Sequence, residues 1–230
     1  VADNNTSELQ EVILGTGFIN AGGGISDIKV GPDGLVYVLS FGLGKIFLIS
    51  ASPPPINFDG DSKSDVSIYR SGAWFIRRSS DGGQTIIGWG GALQDVPVPA
   101  DYDGDGIADV AVYRDGAWFI RRSTDSGMTV VGWGGAAGDI LVPADYDGDG
   151  KTDVAIYRSG AWFIVNSTGG TQVLGWGGAL QDVPVPADYD GDGKTDVAVY
   201  RDGAWFIRRS TDGGMTVVGW GGAPGDFPLN

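Results

Sequence analysis

The sequence predicts an all-β protein assembled from repeated four-stranded antiparallel sheets, and three observations carry that reading. A nine-residue motif recurs: DYDGDGIAD from Asp101, DYDGDGKTD from Asp145 and from Asp188, and a looser NFDGDSKSD from Asn57, in steps of 44, 44 and 43 residues. Tryptophan keeps the same beat, at 74, 118, 162 and 205 in the string AWFI and at 89, 133, 176 and 220 in GWGG, which uses all 8 tryptophans. The composition favours turns over helices: 41 of 230 residues are glycine, and of 29 acidic residues only Glu8 and Glu11 are glutamate.

The second repeat illustrates the strands. VPVPA (Val96–Ala100) is the first, and its two prolines assign it to a sheet edge, because each removes a ladder donor. The aspartate loop follows, then DVAVYR (Asp109–Arg114), the two-residue turn Asp115-Gly116, and AWFIRRS (Ala117–Ser123). A turn built on Asp125 and Gly127 leads to MTVVGWGG (Met128–Gly135). Four short strands per 44 residues, rich in β-branched and aromatic residues and punctuated by glycine and aspartate, predict the blades of a β-propeller, with the proline-bearing strand lining a central channel.

The first fifty residues lack the motif but keep the rhythm, with strands expected at Ile25–Val30, Leu35–Ser40 and Lys45–Ser50 and a turn at Gly31-Pro32-Asp33-Gly34. The expected organisation is one propeller of five blades: a divergent N-terminal blade and closure strand (1–56), then repeats over 57–100, 101–144, 145–187 and 188–230. Glu8–Leu14 or Asp226–Leu229 would supply a closing strand; a ring left open at that edge would invite self-association through the chain ends.

Composition excludes several functions. With no cysteine and no histidine there is no disulfide framework, thiolate site or imidazole chemistry. A net charge of −14 argues against nucleic-acid partners, whose phosphates need a basic face. No apolar run is long enough for a membrane-spanning helix. A chain that starts at Val1 suggests a processed or excised segment.

The aspartate loop has the chemistry of a calcium site. Carboxylates at positions 1, 3, 5 and 9, with a carbonyl at position 7, supply oxygen ligands, and glycine at position 6 permits the sharp turn. The expected ligands are Asp101, Asp103, Asp105, the carbonyl of Ile107 and Asp109; Asp145, Asp147, Asp149, Lys151 carbonyl and Asp153; and Asp188, Asp190, Asp192, Lys194 carbonyl and Asp196. Asn57, Asp59, Asp61, Lys63 carbonyl and Asp65 form a weaker first site, giving up to four Ca²⁺. Position 12 is Val112, Ile156 or Val199 instead of glutamate, so the loop is not an EF-hand.

The string ADYDGDGKTDVAVYR resembles the FG-GAP or VCBS repeats of integrin α-chain propellers and bacterial surface proteins, although the namesake Phe-Gly and Gly-Ala-Pro strings are not kept. The resemblance covers Asn57 to Asn230 and implies calcium loops between strands one and two of each blade. Ser210-Thr211-Asp212-Gly213-Gly214-Met215-Thr216 is similar to the Asp-box turn of sialidase propellers, as are Ser79–Thr85 and Ser123–Thr129. In its family that turn is a fold element between strands three and four. The segment ISDIKVGPDGLVYVLSFGLGKIFLIS resembles a blade of quinoprotein sugar dehydrogenases; without histidine it implies no dehydrogenase chemistry.

No catalytic residues are expected. Arg70, Arg114, Arg158 and Arg201 repeat with every blade, whereas an active site would break the repeat. The favoured function is extracellular adhesion, recognition or assembly, with glycans or an extracellular protein as partner. Trp89, Trp133, Trp176 and Trp220 would be the stacking platforms of a multivalent lectin, or would pack between blades. Arg77-Arg78, Arg121-Arg122 and Arg208-Arg209 would form a basic stripe suited to a self-assembling surface filament, or stand as ordinary solvated charge.

Overall fold

The structure, a computed structural model, describes residues 56–223 and 226–228 together with three strands nearer the N-terminus. The chain divides into two compact units, Val1–Ser52 and Pro53–Asn230. In the first, β1 (Ile25–Val30), β2 (Val36–Ser40) and β3 (Lys45–Ile49) form an antiparallel sheet in chain order, close to the expected spans. The Gly31–Gly34 turn and the Glu8–Leu14 segment lie outside the described residues.

The second unit holds four antiparallel sheets, and no helix occurs among the described residues. The first has three strands, β4 (Val66–Arg70), β5 (Ala73–Arg77) and β6 (Gln84–Gly88). Each of the others has four: β7 (Val96–Pro97), β8 (Val110–Arg114), β9 (Ala117–Arg121) and β10 (Met128–Gly132); β11 (Ile140–Leu141), β12 (Val154–Arg158), β13 (Ala161–Val165) and β14 (Thr171–Gly175); and β15 (Val183–Pro184), β16 (Val197–Arg201), β17 (Ala204–Arg208) and β18 (Met215–Gly219). These are blade-like meanders, as the sequence predicts. Asp226–Pro228 is not in a strand, so the expected further first strand does not form over those residues.

Local sequence explains the register. Arg114 lies opposite Ala117, leaving Asp115 and Gly116 at φ of 50° and 83°, the two positive values of a type I′ turn whose twist suits a hairpin. A Cβ on Gly116 would stand 3.1 Å from the Cα of Gly135, so the turn also needs glycine for its close approach to the end of the fourth strand. The proline-bearing strand β7 is a sheet edge with only two paired residues, extended by Val98 N donating to Ala111 O at 2.9 Å and by the Ala100–Asp109 bridge.

The core lies between successive sheets. Trp118 and Ile120 on one face of the second sheet pack with Val154 and Ile156 of the third, and Trp162 and Ile164 pack with Val197 and Val199 of the fourth. Trp118 is fully buried at 0% exposure, its ring edge-on to Tyr113 at 5.4 Å and its Nε1 donating to Trp133 O at 3.1 Å. Burying such a ring is among the largest single apolar contributions available. Trp118→Ala should therefore cost roughly 3–5 kcal/mol, read as a lower urea midpoint with an unchanged slope.

Candidate metal centre

The aspartates concentrate where the first strand of each sheet reverses into the second. Asp101 accepts from two amides of its own loop, Gly104 N at 2.6 Å and Gly106 N at 2.8 Å, and both glycines take φ of 82°. Asp109, at the far end, has no exposed surface (0%). Its Oδ2 accepts from Tyr102 N at 3.0 Å and its Oδ1 from Ser123 N at 2.6 Å. One side chain thereby fastens the aspartate loop to the turn between strands three and four. Asp153 repeats this with Tyr146 at 2.8 Å and Ser167 at 2.6 Å, and Asp196 with Tyr189 at 3.0 Å and Ser210 at 2.6 Å. In the first repeat Asp65 holds Phe58 N and Ser79 N, both at 2.7 Å.

The other carboxylates are met by hydroxyls of the same turn. Thr124 Oγ1 donates to Asp103 at 2.7 Å and Ser123 Oγ to Asp105 at 2.8 Å. Thr211 and Ser210 serve Asp190 and Asp192 at 2.6 and 2.8 Å; Thr168 and Ser167 serve Asp147 and Asp149. Sequence reasoning missed these hydroxyls, although the signal was there: each Ser-Ser or Ser-Thr pair follows its loop at constant spacing and opens the Asp-box-like string.

Of the expected ligands, the structure brings together positions 1, 3 and 9. Asp101, Asp103 and Asp109 each place an oxygen within 4.8 Å of the other two, as do Asp145, Asp147 and Asp153, and Asp188, Asp190 and Asp196. Position 5 is engaged elsewhere: besides the serine hydroxyl, Asp105 accepts from Ile107 N at 2.8 Å, Asp149 from Lys151 N at 2.9 Å and Asp192 from Lys194 N at 2.8 Å. In the first loop, buried Asn57 accepts from Gly60 N at 2.8 Å and donates to Gly106 O at 3.2 Å. Asp61 takes Lys63 N at 2.9 Å and Asp59 takes Ser80 Oγ at 2.6 Å. Side chains at position 7 lie over the preceding loop; a Cβ on Gly104 would be 2.9 Å from Lys151, and one on Gly148 2.8 Å from Lys194.

Burial sets the electrostatics. It pushes the Asp109 carboxyl up to about 6, and raises Asp153 and Asp196, against the opposing pull of the amides they accept from. Asp149 is held low, first by the Ser167 hydroxyl. Asp103 Oδ1 and Asp190 Oδ1 are buried with no hydrogen-bond partner. An orphaned carboxylate oxygen beside two further carboxylates is an arrangement a cation completes.

The tryptophans and arginines are placed as follows. Trp89, Trp133 and Trp176 are half-buried, and each Nε1 donates into the next sheet, to Phe119 O, Phe163 O and Phe206 O at 2.9, 2.9 and 2.8 Å. Trp220 is 51% exposed. The second arginine of each pair folds back onto its own turn. Arg78, Arg122 and Arg209 each pair with Asp81, Asp125 and Asp212 at 2.9 Å, and their Nη1 atoms donate to Thr85, Thr129 and Thr216 at 2.6 Å.

Residues 145–199 match the FG-GAP-like repeat family, about a quarter of the chain, spanning the loops from Asp145 and Asp188. No curated protein matches the chain. Crystal structures of BBS1N in complex with ARL6DN, soaked with mercury and with lead, share 10% identity over 82% of this chain, with TM-scores of 0.38 and 0.40. The chain spans 59% and 62% of those chains. Among the described residues no helix is long and apolar enough to cross a membrane.

The raised carboxyls have a pH signature. A folded value of about 6 for Asp109, above the ordinary 3.8, means its stabilisation is complete below about pH 4 and lost as pH rises through 6. In metal-free buffer the protein should melt at a higher temperature near pH 5 than near pH 7.5, and Asp109→Asn should reduce that difference, with Asp153 and Asp196 keeping the rest.

Proposed function

We propose that the protein is a calcium-stiffened β-propeller that works outside the cell in adhesion, recognition or assembly and not in catalysis. The observation that carries this reading is the repeated three-carboxylate cluster with its orphaned oxygens at Asp103 and Asp190. An all-oxygen donor set of irregular geometry suits Ca²⁺ better than Mg²⁺, which demands a near-ideal octahedron, and better than metals that prefer nitrogen or sulfur. Asp101, Asp103 and Asp109 would hold the ion in the second repeat, with the equivalent aspartates in the third and fourth. The first loop, with Asn57 in place of the leading aspartate, would bind weakest. Bound calcium supplies positive charge that offsets carboxylate repulsion; the chain's own hydroxyls and amides orient the carboxylates.

The match to a repeat family commonly found in extracellular proteins supports a location where calcium is abundant. Glycan stacking on the GWGG tryptophans is the less favoured reading. Three of these rings spend their indole N–H on the neighbouring sheet, which leaves Trp220 as the well-exposed ring.

Differential scanning calorimetry with and without a chelator tests the proposal. Each loop filled at a calcium concentration a hundred times Kd adds about 2.7 kcal/mol, or roughly 5–10 °C in Tm for a domain of this size. Chelation should lower Tm by that order per filled loop, with recovery on adding calcium but not magnesium. An unchanged melt would refute calcium binding. Asp103→Asn and Asp190→Asn should weaken calcium affinity in titration calorimetry and leave the chelated melt almost unaltered. Asp109→Ala should lower the melt in both conditions, since it also strips two backbone amides of their acceptor.

A further inference from the structure

Successive sheets in the second unit are joined by one recurring set of contacts. The indole just after the last strand of one sheet donates to the next sheet's phenylalanine carbonyl, as described for Trp89, Trp133 and Trp176. Six residues after each of these tryptophans an aspartate leads into the next sheet's first strand, accepts from an amide of the connecting loop (Gly91, Ala136 or Gly178) and pairs with the arginine opposite it on the second strand: Asp95 with Arg114 at 2.6 Å, Asp139 with Arg158 at 2.5 Å and Asp182 with Arg201 at 3.3 Å. Arg114 holds the Asp95 carboxyl below the ordinary carboxylate range. Between these polar links the apolar faces close, so that Val110 and Val112 in the second sheet are 3% and 0% exposed.

The two ends of the series carry the unmatched halves of this interface. On the first sheet Val66 and Ile68, which correspond to Val110 and Val112, are 71% and 55% exposed. Arg70, the counterpart of Arg114, lies over the Phe75 ring at 4.6 Å and has no carboxylate partner among the described residues. On the last sheet Trp220 is exposed, and among the described residues Asp226, six residues on, accepts from its own loop, at Ala223 N. A second sign marks this end as incomplete. Trp74, Trp118 and Trp162 all donate to the carbonyl of their own sheet's GWGG tryptophan, whereas Trp205 Nε1 is buried without a partner.

We infer that copies of this chain associate head to tail, the Trp220 and Asp226 face of one meeting the Val66, Ile68 and Arg70 face of the next through the contacts that join its own consecutive sheets. The interface is thus continuous with one the chain already forms three times. A second copy brings what each end lacks: an indole donor and an aspartate for the first sheet, an arginine and an apolar face for the last. The chain's own residues 1–52 contain neither tryptophan nor arginine, so neither the indole donor for the first sheet nor the guanidinium for the last can come from them. A contact of this kind is heterologous, so it generates rings or filaments and not a two-fold dimer.

Sedimentation of the full chain in calcium over a range of concentrations tests the inference. Wild type should form dimers and longer species as concentration rises. Trp220→Ala and Ile68→Asp, both at exposed positions and checked for unchanged melting, should each stay at the 23.9 kDa of one chain. An equimolar mixture of these two variants retains one good face on each and should give a species of two chains that grows no further. Arg70→Glu and Asp226→Arg should each abolish association, and the double variant should regain it. Three results would overturn the inference: a monomeric wild type at every concentration; association insensitive to these variants; or a mixture that remains monomeric.

Discussion

The structure depends on a carboxylate turned inward at the ninth position of each aspartate loop. Asp65, Asp109, Asp153 and Asp196 enter a largely apolar interior, and each is offered two backbone amides from two different turns. Burying a carboxylate is costly unless it is hydrogen-bonded, and these amides offset much of that cost. Burial still raises the carboxyls of Asp109, Asp153 and Asp196, so the arrangement is strained at neutral pH in the absence of a nearby positive charge. Fold and metal chemistry therefore meet in one atom group: the side chain that fixes the corner of the sheet also creates the demand for a cation.

Repetition then propagates the constraint. The amide of loop residue 8 donates to the carbonyl at position 1 of the preceding loop, Ala108 to Asn57 at 2.6 Å, Thr152 to Asp101 and Thr195 to Asp145 at 2.7 Å. The side chain at position 7 lies across the preceding loop's glycine, so the loops form a connected row along one end of the sheets. A change in one loop is felt by its neighbour through backbone hydrogen bonds as well as through packing. Near-identity between repeats follows physically, because each sheet must fit both the one before and the one after.

The second and third strands of each sheet were legible from the sequence because two signals agreed there, β-branched and aromatic runs broken by turn residues with a defined backbone role. Asp115-Gly116 specifies a type I′ hairpin by residue type alone, and its expected strands lie within two residues of β8 and β9. The aspartate loop was legible as an oxygen-rich cage, and Asp101, Asp103 and Asp109 converge. The constant spacing of Ser123 after its loop did not by itself say that Asp105 turns to it, since that contact spans 18 residues and depends on where the second turn folds back. The fate of Arg122 was hidden for a related reason. A charge pair such as Arg121-Arg122 reads as a stripe in one dimension, whereas Asp125 and Thr129 lie on the same turn and claim one of the two.

The most direct test of a carboxylate corner that requires a cation is anomalous diffraction from crystals grown with millimolar calcium. The account predicts an anomalous peak enclosed by Asp101, Asp103 and Asp109 and by each equivalent trio, with carboxylate oxygens at about 2.3–2.6 Å from the ion. Well-ordered loops with water at those positions and no anomalous signal would contradict it.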